Sequence, residues 1–169
     1  MAKFNPFFDV EIPKGYSPQE RQAIAAEVID YVISRTESGL DANNKSFAKY
    51  SKYYVESKGQ DNVDLTFSGD MLAEIQLLQQ KSGFIRIGYD KGYEGIGKVE
   101  GNVLGTYGQD SPVKGKARNF LGITKKDLDS ILANYPLRDK EVRSERVSLV
   151  KEAGVVAQDI LDNTGFEAE

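Results

Sequence analysis

The residues whose spacing comes closest to known chemistry are Gly92-Tyr93-Glu94-Gly95-Ile96-Gly97-Lys98-Val99, which follow a strand-like run and almost spell a phosphate-binding loop. Such a loop cradles phosphates with backbone N–H groups and ends in a serine or threonine whose hydroxyl holds magnesium. Val99 stands at that place and has no hydroxyl, while Glu94 sets a carboxylate where the phosphates belong. The same segment imitates a calcium loop, with Asp90, Gly92 and Glu94 at its first, third and fifth positions and Gly95 at the sixth. Gly92 offers no side-chain oxygen, and Gly101 occupies the twelfth position, where a bidentate glutamate is required. Both readings reduce to an ordinary turn. Asp127 with Asp129, or Asp61 with Asp64, has the residue types for glycoside hydrolysis by two carboxylates, but each also has a simple capping or surface role.

Composition removes further chemistry. The chain holds no cysteine, so disulfides, thiolate metal sites and cysteine nucleophiles are excluded within it. It holds no histidine either, which removes the commonest general base near neutral pH and with it serine–histidine catalysis. With 169 residues, 40% apolar and 28% charged, one domain with a sizeable core is expected. No apolar run approaches the roughly 20 residues that span a bilayer, and the N-terminal segment lacks the apolar core of a signal peptide. A soluble protein with no membrane partner is therefore expected. The net charge of -4 disfavours tight sequence-specific DNA binding, since the overall field repels phosphate.

The elements that must position any site follow from local pattern. Residues 1–16 carry Phe4, Phe7, Phe8, Val10 and Ile12, interrupted by Pro6 and Pro13, which predicts an extended arm that docks on its own domain or on a neighbouring subunit. Ser17-Pro18-Gln19-Glu20 is a capping box, and Ile24, Val28, Tyr31 and Val32 continue at helical spacing, so a helix over about 18–38 with Gly39 as its stop is predicted. Residues 40–59 read as a polar wrap pinned by Phe47, Tyr50, Tyr53 and Tyr54. Val63, Leu65 and Phe67 predict a short strand, and Ser68 a helix carrying Met71, Leu72, Ile75 and Leu78. Phe84, Ile85, Ile87 and Tyr89 form the clearest strand. The glycine-dense stretch after it predicts a mobile loop or a poor helix held by its neighbours. Residues 118–123 predict another strand, and Thr124 with Asp127 caps a helix displaying Leu128, Ile131 and Leu132. Leu149, Ala153, Val156 and Ile160 share one stripe of a predicted long terminal helix. The expected fold class is α+β: a small curved antiparallel or mixed sheet, a long N-terminal helix packed on it and an additional C-terminal helix. The expected organisation is an arm over 1–16, a core domain over 17–136 and a C-terminal helix and tail over 137–169.

Three stretches, in order, carry a resemblance. They are Arg35-Thr36 with Gly39-Leu40-Asp41-Ala42-Asn43 and Phe47-Ala48-Lys49-Tyr50-Ser51, then the run from Val63-Asp64-Leu65 to Met71-Leu72, then Ala117-Arg118-Asn119-Phe120-Leu121-Gly122-Ile123 with Asp127-Leu128. Over roughly residues 30–132 the chain resembles the Mu-like virion morphogenesis and tail completion proteins of tailed phages, and more loosely the neck proteins of lambdoid siphophages. It differs from them in having Asn102 where a helix histidine is common and Ala117 where a proline precedes the arginine. The resemblance implies a virion protein assembled in the host cytoplasm. It implies no catalysis, cofactor or metal, and a homo-oligomeric ring, hexamer or dodecamer, between head and tail. Its partners would be adjacent neck, connector or tail-tube proteins, and packaged DNA would pass through the lumen without sequence-specific binding.

A ring needs two different, complementary patches on each subunit. Phe4, Phe7, Phe8, Tyr93, Arg118, Phe120 and Leu121 are the candidate subunit contacts, although Phe120 and Leu121 read equally well as core. Two rival readings share the sequence: a non-catalytic phage or bacterial adaptor acting as monomer or dimer on a host protein, and a carboxylate hydrolase.

Overall fold

Helix α1 (Pro18–Glu37) starts where the sequence sets its capping box. The Ser17 hydroxyl accepts the Glu20 N–H at 3.2 Å, and Pro18 occupies the first helical position, where its missing N–H costs nothing. The helix closes at Gly39, whose φ of +86° suits a residue without Cβ, while the Leu40 N–H returns to the Arg35 carbonyl at 3.1 Å. The computed structural model in which these elements are seen describes residues 4–59, 63, 65, 70–106 and 116–137. Ile24, Ala25, Val28 and Val32 make one fully buried stripe along α1, and Ile24, Val28 and Val32 contribute about 1.5–3 kcal/mol each by burial.

The stripe of α1 packs on a three-stranded antiparallel sheet of order β1-β3-β2, built from β1 (Phe7–Glu11), β2 (Gln76–Lys81) and β3 (Phe84–Gly88). This is the α+β class the sequence predicts. Val10, Ile85 and Ile87 form the buried face, and the guanidinium of Arg21 on α1 ties β2 down through the Gln80 side-chain oxygen at 2.9 Å. The opposite face carries Asp9, Arg86, Phe7 and Phe84. There Arg86 donates to both Asp9 carboxylate oxygens at 2.7 and 3.0 Å, and its guanidinium lies 4.1 Å from the Phe7 ring centroid.

The N-terminal arm is extended and docks on its own domain, the first of the two expected outcomes, as an edge strand of the sheet, with Pro6 at its entrance accepting the Tyr89 N–H at 2.8 Å. Two other elements differ from the sequence expectation in this region. The helix expected through Leu78 is confined to one turn, α3 (Asp70–Ala73), and the chain then becomes β2. The reason lies in the turn: Ser82-Gly83, with Gly83 at φ +81°, joins β2 to β3 as a tight hairpin, and ladder pairing overrides the helical spacing of Met71, Leu72, Ile75 and Leu78. Leu65 is buried at φ +56°, which is not a strand conformation, so the short strand expected there is corrected at that residue; Phe67 lies outside the described residues.

Gly88 has no room for a side chain, because a Cβ would overlap the Pro6 carbonyl oxygen and the Phe7 Cα. Gly88→Ala is expected to unseat β1 and to cost about 1–3 kcal/mol by overpacking. Urea denaturation reads this as a lower midpoint, and a midpoint equal to that of the parent chain would show that β1 adds no stability here.

Residues 40–51 wrap the surface as expected. They lead into a helix the sequence reading omitted, α2 (Lys52–Lys58), capped by the Ser51 hydroxyl on the Tyr54 N–H at 3.2 Å and closed by Gly59 at φ +79°. Phe47 is buried, but Tyr53 is 80% exposed and pins nothing within the described residues. The glycine-dense segment forms α4 (Ile96–Leu104), held by buried Val99 and ended by Gly105 at φ +71°. Helix α5 (Lys125–Leu132) starts as predicted, with the Thr124 hydroxyl accepting the Asp127 N–H at 3.2 Å. The chain divides into two units, Met1–Tyr135 and Pro136–Glu169. The predicted terminal helix on Leu149, Ala153, Val156 and Ile160 lies outside the described residues.

Candidate functional site

A densely bonded knot joins the end of α1, residues 39–50 and residues 116–124. Arg35 lies on the buried stripe of α1 and is only 5% exposed. Its two terminal nitrogens donate to the carbonyls of Gly122 at 2.7 Å and Phe120 at 2.5 Å, while its Nε is buried with no partner. Burial pulls its pKa below the usual arginine value, opposed by the nearby Tyr31, Asp41 and Asp127, and it stays a cation at any ordinary pH.

A second arginine works the same way from the other side. Arg118 donates from Nε to the Ala48 carbonyl at 3.0 Å and from a terminal nitrogen to the Lys49 carbonyl at 3.2 Å, with its guanidinium 4.8 Å from the Tyr50 ring centroid. Between the two clamps the Ala42 N–H donates to the Asn119 carbonyl at 2.9 Å. This explains why residues 118–123 are not the strand that was expected: Arg35 takes the Phe120 and Gly122 carbonyls that a neighbouring strand would have bonded. A planar fork of fixed donors suits this work, since it reaches two backbone oxygens at once.

Asp127 joins the knot at the start of α5. One of its carboxylate oxygens accepts the Thr124 hydroxyl and the Asn44 amide, both at 2.6 Å, and Asn44 sits in the left-handed region at φ +61°, which asparagine tolerates. The Tyr31 hydroxyl donates to the Asn44 side-chain oxygen at 3.3 Å. These bonds, Thr124 first and Asn44 second, hold the Asp127 carboxyl below the ordinary aspartate range. A depressed acid stabilises the fold above its unfolded pKa of about 3.9 and loses that contribution as pH falls through the folded value. The parent chain is therefore expected to lose stability more steeply than Asp127→Asn on acidification below about pH 4. Urea midpoints measured from neutral pH down to about pH 3 check this, and parallel profiles would contradict it.

Two phenols, Tyr89 and Tyr135, are pushed away from neutrality. Burial pushes Tyr89 up, and its hydroxyl donates to the Met71 carbonyl at 2.7 Å. Tyr135 donates to Glu27 at 2.6 Å and is pushed up to about 12, chiefly by that bond.

The phosphate-loop and calcium-loop imitations resolve into local geometry. Asp90 accepts the Gly92 N–H on its carboxylate at 2.8 Å, and Val99 is a fully buried core residue of α4. Among the described residues no group of three acids can hold a metal ion, and no helix is long and apolar enough to cross a membrane. Asp127 is engaged as a cap, Asp129 is exposed, and Asp61 and Asp64 lie outside the described residues.

The structure separates the candidate contact residues. Phe120 is 0% exposed and meets Tyr89 edge-on at 6.5 Å between centroids, and Leu121 is 7% exposed; both are core, which corrects their assignment as contact patches. Tyr93, half-buried, stacks on Tyr89 at 5.3 Å between centroids, and Arg118 is spent on the clamp. Phe8 is half-buried and pairs across from Ile87, Phe7 lies under Arg86 on the open sheet face, and Phe4 stands half-buried ahead of β1. Arg35, Asn44 and the Asp9–Arg86 pair were not among the predicted site residues. The signal for Arg35 was its place three residues after Val32, a charge on an otherwise apolar stripe. Set beside known proteins, the chain matches no family model, no curated protein and no solved structure.

Proposed function

We propose that this chain is a structural virion protein of a tailed phage, working at the head–tail junction as a tail completion, tail terminator or head-closure subunit in a homo-oligomeric ring, without catalysis. One observation carries the reading. Two of the three stretches that resemble the phage family, near residues 35–50 and 117–128, are remote in sequence yet meet in a single knot: Arg35 donates to the Phe120 and Gly122 carbonyls, Ala42 to the Asn119 carbonyl, and Arg118 to the Ala48 and Lys49 carbonyls. Scattered chance matches have no reason to bond to one another. The acidic net charge is in keeping with a lumen along which packaged DNA slides rather than sticks.

Electron microscopy of particles made without this protein tests the reading. Filled heads and free tails that fail to join are expected, and normally joined particles would overturn it. Light scattering on the purified chain is expected to give a ring mass, which separates this reading from an adaptor acting as monomer or dimer.

A further inference from the structure

We propose that the two outer edges of the sheet are the two halves of one head-to-tail contact, in which β2 of one copy continues into β1 of the next as a parallel, level-registered strand pair. The inference rests on the ring reading above and names the surface that would close it. Hydrogen-bond parity fixes the geometry. The bonds from the Ile12 N–H to Gly83 and from the Tyr89 N–H to Pro6 place the even-numbered residues of β1 toward β3, so Phe7, Asp9 and Glu11 turn their backbone N–H and C=O groups outward. On β3 the residues turned to β2 are then Phe84, Arg86 and Gly88, which pair with Lys81, Gln79 and Gln76. That leaves Gln80 and the bulged Leu77–Leu78 position directed outward from β2. Among the described residues nothing pairs with either edge.

The two edges fit each other. Glu11 and Lys81 both pair with Phe84, so they lie at one level of the sheet, as do Asp9 with Gln79 and Phe7 with Gln76. In level register, Asp9 of the next copy would face Gln79, with its N–H and C=O meeting the outward groups on either side of that residue, which is the interleaving a parallel pair requires. The same register sets Lys81 beside Glu11 of the next copy, on a face where both side chains are exposed. The alternative, β1 against β1 about a two-fold axis, in the register centred on the strand places Asp9 directly opposite its own copy, and like charges there are unfavourable. An edge that fits a different edge of the same chain propagates head to tail, as a ring requires. The bulge at Leu77/Gln79 leaves the end of β2 from Gln79 to Lys81 as its regular part.

The chain has no native cysteine, so Glu11→Cys with Lys81→Cys in one chain gives a clean test. Within a subunit the two positions are separated by β3, about 9.5 Å across, beyond the roughly 7 Å limit for a disulfide. Mild oxidation of the full-length double variant is expected to give a covalent ladder on a denaturing gel, rising to the ring size seen by light scattering, with neither single variant laddering. As an independent measurement, Lys81→Glu and Glu11→Lys should each weaken association by about five-fold and together restore it. A ring mass with no ladder overturns the edge pairing and leaves the ring; a covalent dimer that never extends also overturns it, because a head-to-tail contact has no reason to stop at two copies. A monomeric mass at every concentration, with no ladder, overturns both readings.

Discussion

Replacing Arg35 with methionine is expected to lower the stability of the folded chain by about 2–4 kcal/mol, although it removes a buried charge. Two effects oppose one another. The guanidinium is 5% exposed, its Nε has no partner, and no carboxylate bonds it directly, so its transfer from water is costly and methionine would relieve that cost. Against this, the Phe120 and Gly122 carbonyls would each lose a charged donor, and the methionine side chain would keep water from replacing it. An unpaired buried acceptor costs about 1–3 kcal/mol; the Phe120 carbonyl meets that cost in full and the half-buried Gly122 carbonyl in part. The second effect wins because the carbonyls belong to a segment with no strand partner among the described residues, so no backbone donor replaces the guanidinium. Arg35→Lys should lose about half as much, since an ammonium reaches one oxygen well and not two. Urea denaturation of the three chains gives the order parent, lysine, methionine; a methionine variant as stable as the parent would mean that desolvation dominates and that the knot is held by packing.

The same knot shows what was legible in the sequence and what was not. Helices α1 and α5 were readable because their starting signals are local: a cap and its partner three residues on, Ser17 with Glu20 and Thr124 with Asp127. Strand β3 was readable from Phe84, Ile85, Ile87 and Tyr89 alone. What was not legible depended on pairing partners that the local pattern does not name. The two prolines around Phe7–Glu11 read as an arm because nothing local says that Phe84–Gly88 awaits it. Residues 75–78 satisfied the helical period until the Ser82-Gly83 turn paired them. Phe120-Leu121 looked like part of a strand because the partner of the Phe120 carbonyl, Arg35, stands 85 residues upstream. The site was legible in the same measure: Arg118 was named without its target, and Asp127 as a cap without Asn44.

Phe120→Ala is expected to cost about 3–5 kcal/mol, the largest loss of any single substitution argued for this chain. Phe120 is completely buried, and its ring edge rests on Tyr89. The cavity would close poorly, because Tyr89 is fixed by its hydroxyl on the Met71 carbonyl and by Tyr93 stacked on its ring, so neither ring is free to swing into the space. Native domains have total stabilities of about 5–15 kcal/mol, so the loss is a large share of the whole and the variant should melt well below the parent. The dependence on concentration separates a core residue from a contact residue. A core residue loses the same stability in dilute and concentrated solution, whereas a contact residue leaves the dilute chain as stable as its parent and weakens only association. Thermal melts at two concentrations a hundred-fold apart distinguish the cases. An unshifted dilute melt with impaired ring formation would return Phe120 to the subunit surface and break the physical link between the knot and the core beneath it.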